Sequence, residues 1–107
     1  MNSNKVGTRE LTDTINEAIH SLRQRQLDCA YDFIMKAMAI NPNIPEPHNL
    51  LGIWYEERGN LDLARKHYRI AYVLDARFKP AGINLQRVGS IFQYDNIPID
   101  YGEDEKK

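Results

Sequence analysis

The sequence predicts an all-α fold, two helical hairpins followed by a fifth helix, and three observations predict it. Shifted by 34 residues, the chain matches itself: Ala18 falls on Gly52, Ile19 on Ile53, Leu27 on Leu61, Ala30 on Ala64 and Ala37 on Ala71. Apolar residues recur at the spacing of one helix face rather than in strand alternation. Turn-forming residues stand between those stripes.

Taken in order, Leu11, Ile15, Ala18, Ile19 and Leu22 mark the first helix. Leu27, Ala30, Ile34, Ala37 and Met38 mark the second, and Asn41-Pro42-Asn43-Ile44-Pro45 ends it, because proline cannot continue a helix interior. Leu50, Leu51, Ile53, Trp54 and Tyr55 form the third stripe, which stops at Arg58-Gly59-Asn60. Leu61, Ala64, Tyr68, Ala71 and Tyr72 repeat the offsets of the second helix. A fifth helix begins near Pro80 and carries Ala81, Leu85, Val88 and Phe92 on its buried side. The expected organisation is a flexible segment over 1–10, a helical domain over 11–92 and a tail over 93–107. Within the domain the units span 11–44 and 45–78, with a capping helix over 79–92.

Composition narrows the function. The 107 residues suffice for one domain, and 42% hydrophobic with 27% charged content is ordinary globular usage. No apolar run reaches the roughly 18 to 20 residues of a membrane span, and the polar start is no secretory signal. Lys and Arg number 14 against 15 Asp and Glu, so no net field draws nucleic acid or an anionic membrane. Cys29 stands alone, which excludes an internal disulfide and fits a reducing, cytoplasmic setting.

Catalytic and metal chemistry finds little support in the residues. His20, His48 and His67 lack the i, i+4 spacing of a helical zinc site, and no Cys-x2-Cys occurs. Their expected roles are structural or on the surface. Cys29 reads as an inert, partly buried thiol. Glu56 and Glu57 diverge by about 100 degrees around a helix, so they do not share a target and read as a solvated or groove-edge feature. The glycines never gather into a phosphate-cradling loop. The expectation is a protein that is not an enzyme and takes no cofactor. Arg58, Arg65, Lys66, Arg69, Arg77 and Lys79 form a basic cluster, read as a solvated outer face, with an acidic protein partner as the alternative.

Leu51-Gly52-x2-Tyr55, followed by Ala64, Tyr68 and Ala71, resembles the tetratricopeptide repeat family, with its 34-residue unit W-x2-L-G-x2-Y, A-x3-F, A, P. His48 stands in place of the Trp, Ala76 in place of the closing Pro, and Ser21 where the first unit's aromatic is expected. The resemblance implies a right-handed superhelical solenoid of α-α hairpins. The small residues Gly52 and Ala64 would let the two helices of a unit approach closely.

The resemblance also implies a concave groove lined by the first helix of each unit. Its first layer would hold Ile15, Asn16, Ile19 and Leu22, together with Thr12 and Arg23. Its second would hold Asn49, Leu50, Ile53 and Glu57, with Glu46 and Glu56. The cap would add Ile83, Asn84 and Arg87, with Pro80 and Ile91. One subfamily clamps a C-terminal carboxylate with Lys and Asn on the first helix, Asn on the third, and Lys and Arg on the fifth. The corresponding positions here are Ile15, Ile19, Leu50, Pro80 and Asn84, none of which matches, so an acidic chaperone tail is not expected.

The function so implied is a non-catalytic adaptor or scaffold that holds a peptide or helix of a partner protein in an apolar groove. The alternative is a self-association module whose groove is filled by its own tail or a second copy, as in a homodimer. Ile15, Ile19, Leu50, Ile53 and Ile83 are the expected apolar anchors, read either as a docking surface or as packing between layers. The tail segment 96–101 alternates apolar and polar groups and is a candidate occupant.

Overall fold

Every helix boundary shared by the successive hairpins recurs 34 residues further on. In a computed structural model, which describes residues 3–89 and 97–103, the helices are α1 (Ser3–Arg23), α2 (Leu27–Ile40), α3 (Pro45–Glu57), α4 (Leu61–Leu74) and α5 (Lys79–Gly89). The end of α1 at Arg23 maps onto Glu57, the start of α2 at Leu27 onto Leu61, and the start of α3 at Pro45 onto Lys79.

The turns repeat as well. Arg25 and Gly59 both adopt a left-handed backbone, with φ of 60° and 82°. Only the second position carries the glycine that this conformation favours. After α2 the side chain of Asn41 accepts the backbone N–H of Asn43, and after α4 Asp75 accepts that of Arg77, both at 3.0 Å. These side-chain turns close each second helix on an extended residue. Asn60 caps α4 by accepting the N–H of Leu63, and Pro45 opens α3 at a position whose N–H has no helical partner to lose.

One expectation about the ends changes, and another falls partly outside the described residues. Helix α1 starts at Ser3 rather than near Leu11, since no proline interrupts the polar residues ahead of the apolar stripe. Helix α5 runs to Gly89, and the remainder of the expected cap, 90–92, lies outside the described residues.

Packing follows the repeat. Helix α1 pairs with α2 and α3 with α4, while α2 abuts α3 and α4 abuts α5. On the other side α3 also touches α1 and α5, so the first helices of the units form one continuous face. Ala18, Ile19, Leu22, Ala30 and Ile34 from the first hairpin join Leu50, Leu51, Ile53, Ala64 and Tyr68 from the second in a single core. Each large aliphatic buried there contributes roughly 1.5 to 3 kcal/mol.

Gly52 does what its size suggests: a Cβ there would lie 2.5 Å from Cε1 of Tyr68. The indole N–H of Trp54 donates to the carbonyl of Leu27 at 2.8 Å and ties the two hairpins together. Cys29 is exposed rather than partly buried, because it lies one residue off the stripe that packs α2 on α1. Arg65, expected on a solvated face, donates to the carbonyl of Val88 near the end of α5 at 3.0 Å and pairs with Asp62. Among the described residues there is no strand, and no helix is long and apolar enough to cross a membrane.

Candidate functional site

The face made by α1, α3 and α5 is covered by the chain's own residues 97–103. Asn49 on α3 and Asn84 on α5 are 0% exposed, although neither is apolar. A buried carboxamide without partners would cost about 1 to 3 kcal/mol for each group left unpaired. These two meet that demand with each other and with the main chain of the tail. Nδ2 of Asn84 donates to Oδ1 of Asn49 at 2.8 Å and to the carbonyl of Asp100 at 2.8 Å. Nδ2 of Asn49 donates to the same carbonyl at 3.0 Å. The backbone N–H of Asp100 donates in turn to Oδ1 of Asn84 at 2.9 Å. One residue of the tail is thus held by both its N–H and its C=O.

Arg87, one turn beyond Asn84 on α5, completes the clamp. Its guanidinium donates to Oδ1 of Asn84 at 2.9 Å and to the carbonyl of Pro98 at 3.1 Å. It also pairs with Glu56, and both side chains are largely withdrawn from solvent, at 12% and 17% exposure. The hydroxyl of buried Tyr68 donates to the same carboxylate at 2.6 Å. Burial pushes the Tyr68 hydroxyl far above its usual range, and the adjacent Glu56 charge adds to the shift. Tyr68 therefore stays a neutral donor. Among the described residues no buried side-chain nitrogen or oxygen lacks a partner.

Apolar and ionic contacts flank the clamp. Ile99 and Tyr101 pack against the cluster that contains Ile19, Leu50 and Ile53. The guanidinium of Arg23 lies 4.3 Å from the centroid of the Tyr101 ring and also pairs with Glu103. Glu57 pairs with Arg25 in the α1–α2 turn at 2.6 Å. Glu56 and Glu57 therefore serve different targets, as their angular separation requires, but both are partly buried in ion pairs rather than solvated.

The other expected groove residues divide by burial. Ile19, Leu22, Leu50 and Ile53 are 0 to 2% exposed and belong to the core, so they are not bare anchors awaiting a partner. Ile15 is half-buried against the same core, Ile83 is half-buried on α5, and Asn16 is exposed on α1. The role of Asn49 and Asn84 is the larger surprise: they act as a pair, through the backbone of a third segment. The alternation of Ile97, Ile99 and Tyr101 marks the tail as an occupant, whereas nothing in the local sequence marks Gly102, whose φ is +83°.

Behind the groove, His48 and His67 lie with their Nδ1 atoms 3.3 Å apart and their rings stacked. Tyr55 stacks on the far side of His67. Burial lowers the basicity of both imidazoles, and His48 together with Lys66 helps bring His67 to about 4. No group of three or more His, Cys, Asp or Glu side chains gathers as metal ligands among the described residues.

No family model matches the chain, and no solved structure matches it at a significant level. Over 40 residues the chain is 45% identical to the mouse protein named protein O-mannosyl-transferase TMTC4. That stretch covers 37% of this chain and 5% of that much longer protein.

Proposed function

We propose that this chain is a tetratricopeptide-like protein-interaction module, a non-catalytic adaptor that holds an extended segment of a partner protein across α1, α3 and α5. The observation that carries the reading is the grip of Asn49 and Asn84 on both polar groups of Asp100. Those groups are common to every non-proline residue, so the clamp suits any extended chain whose side chains fit beside it. The 34-residue repeat supports the family assignment, as does the match to the mouse protein, which is about one hairpin unit long. Mannosyl transfer is named for that protein as a whole, and this reading takes only a repeat unit from the likeness.

The groove serves an extended segment better than the helix that an open apolar trough would take. Its aliphatic floor is largely core, and its polar pair matches an unpaired main chain, which a helix does not offer. Nucleic acid and membrane are not partners in this reading, since the tail-binding face mixes Arg23, Arg25 and Arg87 with Glu56 and Glu57. NMR titration of the full chain with a panel of extended peptides tests it. The side-chain amide signals of Asn49 and Asn84 should move for peptides that enter the groove. If no peptide moves those signals, the reading fails.

A second reading is favoured by the occupant itself. Because residues 97–103 already fill the face, the groove would serve as a structural latch for the chain's own tail, or for a second copy's. Sedimentation over a range of concentrations separates the two forms of latch, since only exchange between copies gives a dimer.

A further inference from the structure

We propose that Ile97–Glu103 is a built-in competitor, and that the partner displacing it is an extended segment with an aliphatic residue, Asp or Asn, an aromatic residue, glycine and an acid in that order. This rests on the groove being a peptide site and adds the chemistry of the peptide. The pattern follows from what each tail residue meets. At the aliphatic and aromatic positions Ile99 and Tyr101 pack on the core, with Arg23 lying over the Tyr101 ring. Between them, Oδ1 of Asp100 accepts the N–H of Gly102 at 3.0 Å, a turn that only a short side-chain acceptor makes.

Glycine is favoured at the next position by its backbone conformation. Its φ of +83° disfavours any L side chain, and a Cβ there would lie 2.9 Å from Cζ of Phe78. An acid suits the last position, where Arg23, already over the aromatic ring, pairs with Glu103 in an exposed ion pair that adds only a weak preference. Pro98 is read through its carbonyl alone, by Arg87, so the position before the aliphatic residue is permissive.

The tail is built to be exchanged. Its contacts with the buried Asn49 and Asn84 are made through its main chain, and a partner's main chain reproduces them. Its outer end is held by an ion pair whose members are 48% and 49% exposed, a kind that contributes little. Tethering gives the tail an effective concentration in the millimolar range, so it suppresses weak ligands and yields to a partner with more contacts.

The test uses the full chain with Asp100→Pro, which removes the N–H accepted by Asn84 and the oxygen that accepts from Gly102. The probe is a labelled peptide with the sequence of residues 97–103, followed by fluorescence anisotropy. The variant should bind it at least about tenfold more tightly than the unchanged chain. Alanine in place of the peptide's glycine should weaken binding at least about tenfold. Equal binding by the variant and the unchanged chain overturns the competitor. Equal binding of the glycine and alanine peptides overturns the pattern while leaving the groove reading intact. A folded variant that binds neither this peptide nor any unrelated extended peptide overturns both.

Should circular dichroism show that Asp100→Pro does not fold, the unchanged chain is titrated with unlabelled peptide to about 5 mM, above the tail's own effective concentration. Displacement then shifts the backbone signals of Asp100 and Gly102, and unmoved signals overturn the proposal. Dimers formed by exchange of tails between unchanged chains would assign the groove to a second copy and overturn a separate partner.

Discussion

Gly52 and Tyr68 occupy complementary space: the ring of Tyr68 lies where a Cβ on Gly52 would stand, 2.5 Å from Cε1 and 2.6 Å from Cδ1. Tyr68 is wholly buried and its hydroxyl holds Glu56, which holds Arg87, which holds the tail. Through Tyr68, Gly52 thereby supports the clamp.

Enlarging Gly52 should therefore destabilise the fold. Helix propensity favours a side chain over glycine by about 1 kcal/mol, but overpacking costs roughly 1 to 3 kcal/mol or more. Gly52→Leu is expected to lower the melting temperature by several degrees or more, at about 4 to 8 °C per kcal/mol for a chain of this size. Combined with Tyr68→Leu it should cost less than the two single changes summed. A Gly52→Leu melting curve superimposed on the parent's would show that the contact is not tight.

Tyr68→Phe keeps the ring and removes only the bond to Glu56. A hydrogen bond to a charged group contributes about 1.5 to 3 kcal/mol, so a loss of that order is expected in urea unfolding with an unchanged m-value. No measurable loss would mean that the Glu56–Arg87 pair is indifferent to the hydroxyl.

Asn84→Ala deletes the acceptor of the Asp100 N–H and one of two donors to its carbonyl. Hydrogen exchange at the Asp100 amide should accelerate at least about tenfold, equivalent to 1.4 kcal/mol, while the amides of Ile34 and Ala64 stay protected. Unchanged exchange at Asp100 would show that the tail is held by its apolar residues alone.

The imidazole pair makes stability depend on pH. His67 titrates at about 4 when folded and near 6.5 when unfolded, so the unfolded chain binds more protons between those values. Its contribution is fully present above pH 6.5, falls as the pH drops toward 4 and changes no further below that. The melting temperature should decline across this window, and His67→Gln should flatten the decline. An equally steep decline in the variant would assign it to other groups.

The helices and their pairing were legible because they depend on local, repeated patterns. Ala30 and Ala64, or Ala37 and Ala71, identify the packing face of α2 and α4 by type and spacing alone, and all four are fully buried. The early start of α1 was not legible, since polar residues carry no periodic signal and continue a helix without announcing it. Arg25 hid the first turn in the same way, because it takes a left-handed backbone without being glycine.

By itself, then, the sequence determined five helices, their 34-residue repeat and the small residues at their contacts, all properties of spacing within a short window. Tertiary structure alone decided that Asn49 and Asn84 clamp Asp100, that Arg23 reaches Tyr101 and Glu103, and that His48 meets His67. Those residues are ordinary by type. Their energies arise from juxtaposition across 16 to 80 positions of chain, where removal from water makes a polar group depend on one particular partner.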